Sequence, residues 1–113
     1  MNIIVAGSRN FDKYKLLEET LNKYVTPDDT IISGVAKGAD MLGIVYSYRH
    51  NIKLKRFPAK WDTYGKSAGY RRNVEMADNA DMLIAFWDGM SRGTKHMIDI
   101  MNNQNKKVII INY

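Results

Sequence analysis

Short apolar runs alternate along this chain with segments in which apolar residues recur every three or four positions. The runs are Asn2–Ala6, Thr30–Ser33, Lys53–Phe57, Met82–Phe86 and Val108–Ile111. The first, fourth and fifth are almost continuously apolar, which is typical of strands covered on both faces. The third alternates lysine with apolar residues and therefore predicts an edge or half-exposed strand.

Four helices are predicted between these strands. Apolar stripes follow helical spacing in Tyr14–Tyr24, Ala39–Tyr46, Ala68–Asp78 and Thr94–Met101. Strand and helix thus alternate four times before the last strand, which predicts an α/β fold with a five-stranded parallel sheet and helices on both faces. Right-handed crossovers place every strand-to-helix loop at the carboxyl edge, where ligands of such folds bind at the switch in strand order.

Length and composition predict a single domain spanning residues 1–113. Hydrophobic residues make up 45% and charged residues 26% of the chain, the balance of an ordinary globular protein. Because there is no cysteine, disulfides, thiolate metal sites and a cysteine nucleophile are excluded. No apolar stretch is long enough to span a membrane and no basic leader opens the chain, so we expect a cytoplasmic protein without a membrane partner.

The positive charge is concentrated in one segment. The chain carries a net charge of +5, yet residues 49–72 hold eight basic residues and only one acidic residue, Asp62. Phe57, Trp61, Tyr64 and Tyr70 lie in the same segment, and basic residues among aromatics can contact phosphates and stack on bases. We expect this segment to form one wall of a phosphate pocket, although the same pattern also fits a solvated loop and helix face.

Glycine pairs follow three of the predicted strands with Gly-x-x-x-Gly spacing, at Gly34/Gly38, Gly65/Gly69 and Gly89/Gly93. A glycine-rich turn before a helix exposes backbone N–H groups that favour an anion. The loops match neither the P-loop pattern nor the Gly-x-Gly-x-x-Gly dinucleotide pattern. A conventional nicotinamide dehydrogenase or P-loop ATPase is therefore not expected.

Polar residues in these loops have the chemistry of a phosphate and ribose site. Hydroxyl groups come from Ser8, Ser33, Ser91 and Thr94, and planar guanidinium groups from Arg9 and Arg72. Asp40 and Asp88 could accept from ribose hydroxyls, although serine and aspartate at helix starts are often simply N-caps. No histidine or carboxylate spacing indicates a metal site.

Four blocks of sequence resemble the small YspA-like members of the SLOG superfamily, which occur in bacteria and their phages. The blocks are Val5-Ala-Gly-Ser-Arg-x-Phe11, Ser33-Gly-x-Ala-x-Gly-Ala-Asp40, Phe57-Pro-Ala-x-Trp-x-x-Tyr-Gly-Lys-x-Ala-Gly-x-x-Arg-Asn-x-x-Met76 and Ala80-Asp-x-Leu-Ile-Ala-Phe-Trp-Asp-Gly-x-Ser-x-Gly-Thr94. They cover nearly the whole chain in order. The resemblance implies a Rossmann-like three-layer domain that binds a nucleotide or nucleotide-derived ligand, such as an ADP-ribose derivative.

The resemblance also implies which residues bind the ligand. They are Gly7, Ser8, Arg9, Ser33, Gly34, Gly38, Ala39, Asp40, Trp61, Tyr64, Lys66, Arg72, Asn73, Asp88, Gly89, Ser91, Gly93 and Thr94. Related phosphoribohydrolases carry glutamates after the Gly-Thr of the last block, where this chain has Lys95, His96 and Met97. Without those glutamates only Asp88, Asp40 or Glu75 could assist glycosidic cleavage.

Three functions remain open from the sequence. The first is a nucleotide-binding module or sensor. The second is a nucleotide N-glycosidic hydrolase, with Asp88 as the electrostatic or acid–base group and Arg72 holding the phosphate. The third, ranked last, is a nucleic-acid binder that uses the basic segment. Because SLOG relatives often dimerise, we also expect a homodimer or higher homo-oligomer.

Overall fold

Five parallel strands form the centre of the computed structural model, which describes residues 1–113. They are β1 (Asn2–Gly7), β2 (Thr30–Ser33), β3 (Lys53–Arg56), β4 (Met82–Trp87) and β5 (Lys107–Asn112). Their order in the sheet is β3-β2-β1-β4-β5, and all neighbours pair in parallel. The predicted fold class, a single Rossmann-like sheet of five parallel strands with helices on both faces, is confirmed.

Five α-helices connect the strands. They are α1 (Tyr14–Tyr24), α2 (Ala39–Arg49), α3 (Trp61–Tyr64), α4 (Ala68–Asp78) and α5 (Arg92–Asn103), and a 3₁₀ turn, Gly65–Ser67, joins α3 to α4. Four of them match the predicted helices. The short α3 was not predicted, because one helical turn is too short to show an apolar periodicity.

Alternation along the strands divides the core into two layers. Ile3 and Val5 of β1 face a cluster that includes Leu17 and Leu21 of α1. Ile4 of β1 faces the opposite cluster, which includes Met76 of α4 and Met97 of α5. Side chains of a strand point alternately to opposite faces, so a nearly continuous apolar run is needed to fill both layers.

The expectation for β5 is met only in part. Its apolar run predicted a strand covered on both faces, but β5 lies at the edge of the sheet and Ile110 is 41% exposed. Ile109 and Val108 still pack against opposite core clusters. Hydrophobic content could not distinguish this strand from an interior one, because edge position is set by the strand order. The edge position expected for β3 is confirmed.

Candidate functional site

A cleft of about 440 Å³ opens where the carboxyl ends of β1 and β4 lie side by side. The chain crosses from β1 to β2 in one direction and from β4 to β5 in the other, so this is the switch in strand order. We call it the switch-point cleft. Its lining is Ala6, Gly7, Ser8, Arg9, Asn10, Ala36, Asp40, Arg72, Asn73, Met76, Asp88, Ser91, Gly93, Thr94 and Met97.

The loop after β1 forms the floor of this cleft. A Cβ on Gly7 would lie 2.2 Å from the carbonyl oxygen of Phe86, so only glycine allows β1 and β4 to approach this closely. The Ser8 hydroxyl is buried and accepts from the Asp88 N–H at 3.1 Å. Ser8 thus ties the loops of the two central strands together, in addition to lining the cleft.

Gly38 allows the loop after β2 to pack closely against the loop after β1. Its φ is +83°, and a Cβ there would lie 2.3 Å from the carbonyl oxygen of Ser8. The N–H of the next residue, Ala39, donates to that same carbonyl at 3.5 Å. Gly38 and Ala39 therefore position the start of α2 against the cleft but do not line it.

Two guanidinium groups face this region, and neither has a carboxylate within 4 Å. Arg72 is half-buried and donates Nη1–H to the carbonyl of Gly34 and Nε–H to Oδ1 of Asn73 at 3.1 Å. Arg9 is exposed and makes no side-chain hydrogen bond. Burial lowers the pKa of Arg72, Asp40 opposes that shift, and the positive charge of Arg9 adds to it.

Asp40 is the buried carboxylate of the cleft. It is 5% exposed and accepts the Ala36 N–H at 3.3 Å, while its own carbonyl accepts from the buried Ser33 hydroxyl at 3.1 Å. Burial raises the pKa of Asp40 to about 6, against the opposing charge of Arg72 and the backbone N–H groups that face it. The carboxylate is thus turned toward its own loop, so it stabilises that loop as well as lining the cleft.

Asp88 closes the loop between β4 and α5. Its Oδ1 accepts from the N–H groups of Met90 and Ser91 at 2.8 and 2.9 Å. These hydrogen bonds lower the pKa of Asp88, so the carboxylate is ionised at neutral pH and cannot serve as a proton donor there. Electrostatic stabilisation of a developing positive charge remains open to it.

Helix α5 begins at the rim of the cleft. Ser91 is its N-cap, and the Ser91 hydroxyl accepts from the Thr94 N–H at 3.4 Å and lies 3.0 Å from the Thr94 hydroxyl. The first N–H groups of a helix have no intrahelical partner and carry the positive end of its dipole. Asn73 connects this helix to α4, because its Nδ2 donates to the carbonyl of Gly93 at 3.3 Å.

Two smaller clefts adjoin the first, and Arg72 lines all three. The α4 cleft, about 260 Å³, lies beside Arg56, Lys60, Tyr64 and Arg71. The Trp61 cleft, about 400 Å³, also includes Arg9 and Lys37. The basic segment was expected to form one wall of the main pocket, and this is wrong: of its basic residues, only Arg72 lines the switch-point cleft. The others lie at the end of α2, on the edge strand β3 and in the segment 57–71 that follows it.

The predicted ligand residues fall into three groups. The switch-point cleft brings together Gly7, Ser8, Arg9, Asp40, Arg72, Asn73, Asp88, Ser91, Gly93 and Thr94. Gly34 and Trp61 line the Trp61 cleft, and Tyr64 lines the α4 cleft. None of the three clefts is lined by Ser33, Gly38, Ala39, Lys66 or Gly89.

Sequence reasoning missed five residues that line the switch-point cleft, namely Ala6, Asn10, Ala36, Met76 and Met97. Most of the surface of Met76 and Met97 is buried in the core. Helical spacing could have found them, since Met76 lies one turn beyond Arg72 and Met97 one turn beyond Thr94.

Val35 adopts an unusual backbone conformation in the loop that carries Asp40. Its φ is +64°, a region that costs a β-branched residue roughly 1–2 kcal/mol. We expect Val35→Gly to raise the free energy of unfolding by about 0.5–1 kcal/mol, after allowing for the greater entropy of glycine in the unfolded chain. Urea denaturation measures this change.

Val25→Gly is the matched control, because Val25 has an ordinary φ of −102°. The substitution there relieves no strain and should lower stability. Equal losses at both positions would show that the left-handed conformation of Val35 stores no strain.

No three histidine, aspartate or glutamate side chains come together as metal ligands.

None of the helices combines the length and hydrophobicity that crossing a bilayer requires.

Comparisons with known proteins agree with this architecture. The model of the YspA, cpYpsA-related SLOG family matches residues 1–64. The Gene 61 protein of Mycobacterium phage D29 is 32% identical over 89 residues, covering 74% of this chain and 70% of that protein. The X-ray structure of DNA processing protein A (DprA) from Streptococcus pneumoniae superposes with a TM-score of 0.82 at 18% identity, over 99% of this chain.

The chain spans half of the DprA chain, and at 18% identity the likeness concerns the fold. The family match covers more than half of the residues, and it includes the loops after β1 and β2 that carry Ser8, Arg9 and Asp40. The resemblance seen in the four sequence blocks is confirmed: the chain belongs to the YspA, cpYpsA-related SLOG family.

Proposed function

We propose that the switch-point cleft binds the phosphate of a nucleotide or nucleotide-derived ligand. The observation that carries this proposal is the pair of guanidinium groups, Arg9 and Arg72, at one cleft with no carboxylate within 4 Å of either. Asp40 offsets part of this positive charge from beyond 4 Å, but Arg9 and Arg72 still repel each other, and a bound anion relieves that repulsion.

Further features support a phosphate rather than a carboxylate or a simple halide. The start of α5 supplies backbone N–H groups, and the hydroxyls of Ser91 and Thr94 lie 3.0 Å apart at the same rim. The cleft volume of about 440 Å³ is within the range of small-molecule sites. Exposed Trp61, in the adjoining cleft with Arg9, offers a surface for a base.

Arg9→Ala tests this proposal. We expect the variant to bind AMP at least about tenfold more weakly than the unaltered protein, because a charge-assisted hydrogen bond to phosphate contributes roughly 1.5–3 kcal/mol. Isothermal titration calorimetry measures the affinity. Arg9 makes no hydrogen bond or ion pair in the folded chain, so its removal should not lower thermal stability.

Arg49→Ala is the matched control, since Arg49 lies over the ring of Tyr14 and lines none of the three clefts. It removes the same charge elsewhere and should leave AMP affinity within about twofold. Equal weakening in both variants would indicate a nonspecific effect of net charge. Absence of AMP and ADP-ribose binding by the unaltered protein would reject the proposal.

A second candidate is an N-glycosidic hydrolase, and the position of Asp40 favours it. Its carboxyl group lines the cleft near Arg72, and its pKa of about 6 suits a group that exchanges a proton near neutral pH. Asp40 would then be the proton donor, and the ionised Asp88 an electrostatic group. Release of free base from nucleoside monophosphates, which binding alone does not produce, is the test.

A further inference from the structure

The α4 cleft has a strongly basic lining that phosphate binding in the main cleft does not use. Arg56, Lys60, Arg71 and Arg72 line it, with Glu75 as the single acidic residue, and Phe57 contributes apolar surface. None of the four cations has a carboxylate within 4 Å. The cleft therefore carries a positive charge that this chain does not neutralise.

Internal contacts position the basic side chains without neutralising them. Arg71 donates Nε–H to the Ser67 hydroxyl at 3.0 Å, and its guanidinium lies 4.4 Å from the centre of the Tyr64 ring. Arg56 donates to the hydroxyl of Tyr48. These partners are neutral, so they orient the cations while leaving them able to receive an anion.

Arg72 connects this cleft to the switch-point cleft, because it lines both. Its guanidinium has five N–H groups, and the contacts with Gly34 and Asn73 use one on Nη1 and one on Nε. Three N–H groups remain, two of them on Nη2. One guanidinium can therefore donate to an acceptor in each cleft at the same time.

We propose that the α4 cleft is a second phosphate subsite, and that the ligand of this protein is a dinucleotide whose two phosphates lie on either side of Arg72. This inference rests on the proposed phosphate binding in the switch-point cleft. It adds Lys60 and Arg71 as residues that select a ligand with two phosphates over a mononucleotide.

The bridging geometry favours a dinucleotide over a diphosphate. Two acceptors on either side of one guanidinium are separated by two hydrogen bonds and the width of the group, so their phosphorus atoms lie about 6 Å apart or more. The phosphorus atoms of a diphosphate share one bridging oxygen and are closer than this. Successive phosphates of a dinucleotide have a whole sugar between them and can span the distance.

Exposed aromatic rings border the same surface. Trp61 is 53% exposed and Tyr64 43% exposed, in the Trp61 cleft and the α4 cleft respectively. A flat ring beside an unpaired cation can stack on any base, which suits a ligand that carries two bases. Trp61 packs on α4, because a Cβ on Gly69 would lie 3.5 Å from its ring.

Calorimetry with two matched probes tests the subsite. The probes are AMP and the linear dinucleotide pApA, titrated at one fixed salt concentration. We expect the unaltered protein to bind pApA at least about tenfold more tightly than AMP, since the second phosphate binds from within the same ligand. The double variant Lys60→Ala/Arg71→Ala should lose that gain while its AMP affinity stays close to that of the control.

The control is Lys23→Ala/Arg49→Ala, which removes the same two charges from residues that line none of the clefts. Equal affinity for pApA and AMP, or a gain that survives Lys60→Ala/Arg71→Ala, would overturn the subsite. Loss of the gain in both double variants would do the same. AMP binding that depends on Arg9 would still leave the proposed function standing in each of these cases.

Two further outcomes are decisive. If the unaltered protein binds neither probe, the proposed function itself fails and the subsite with it. If a ten-nucleotide single strand binds more tightly than pApA and weakens equally in both double variants, the basic surface contacts a nucleic-acid backbone nonspecifically and the dinucleotide site is overturned.

Discussion

Arg72→Ala should reduce the affinity of this protein for AMP about a hundredfold or more, as measured by isothermal titration calorimetry. Arg72 is the one residue that lines all three clefts, and Gly34 and Asn73 hold its guanidinium in place. A phosphate held by a preorganised guanidinium loses two charge-assisted hydrogen bonds when the side chain is truncated. Arg72→Lys should recover only part of the loss, because lysine lacks the planar fork.

Arg92→Ala is the control that distinguishes a direct contact with the phosphate from the general effect of a nearby positive charge. Arg92 is exposed at the first turn of α5, close to the rim of the switch-point cleft, yet it lines none of the three clefts. Its removal should change AMP affinity by less than about threefold. Comparable losses in Arg72→Ala and Arg92→Ala would contradict a specific contact, as would an Arg72→Lys variant with full affinity. Thermal denaturation of each variant verifies that the fold is intact.

Asp40→Asn should raise the free energy of unfolding by about 1–2 kcal/mol at pH 7.5. Burial raises the pKa of Asp40 from 3.8 to about 6, which sets an upper limit near 3 kcal/mol on the destabilisation by the ionised form. Asparagine removes the charge, but its amide NH₂ replaces one acceptor oxygen opposite backbone N–H groups such as that of Ala36. We therefore expect Asp40→Asn to increase the free energy of unfolding by less than this upper limit.

The difference in the free energy of unfolding between Asp40→Asn and the unaltered protein should become smaller as the pH falls. Between about pH 4 and 6 the folded protein keeps a proton on Asp40 that the unfolded chain has lost. Stability of the unaltered protein therefore falls as the pH rises through this window and levels off above it. Urea denaturation at several pH values should show the advantage of Asp40→Asn vanishing near pH 4.

Asp99→Asn provides the comparison, because Asp99 is exposed and pairs only with Lys95 on the same helix. It should show no gain at pH 7.5. A less stable Asp40→Asn variant at pH 7.5 would mean that the ionised carboxylate, opposite Arg72 and the backbone N–H groups, is net stabilising. A gain in stability accompanied by weaker AMP binding would indicate that this buried charge is kept for the site.

Much of the site could be predicted because chain order alone places it. Alternation of strand and helix implies a parallel sheet, and right-handed crossovers bring every strand-to-helix loop to one edge. Ser8 is far in the chain from Asp88 and Thr94, yet it follows β1 and they follow β4, two strands that end at that edge, so their convergence follows from topology.

Other features depend on which strands are neighbours. Sequence could not show that β4 lies beside β1, which brings Asp88 to Ser8, or that β5 and β3 form the edges. The basic segment runs from the end of α2 through β3 into α4, and four of its eight basic residues, Arg56, Lys60, Arg71 and Arg72, line the α4 cleft, whereas only Arg72 lines the main cleft. Counting charges along the chain could not show which cleft each basic residue lines.

The amino-acid sequence by itself determined the fold class, the edge of the sheet at which the switch-point cleft opens and the family, because these depend on periodicity, chain order and local motifs. Only the tertiary structure decided which of the polar residues are buried, which are held by hydrogen bonds and which are exposed. Asp88 proved to be held as an anion by two backbone N–H groups and Asp40 to be buried, whereas Arg9 and Arg72 have no carboxylate within 4 Å. The burial of a charged side chain and its hydrogen-bond partners depend on residues that are distant in the chain. They determine which charged groups are accessible and unpaired in the cleft.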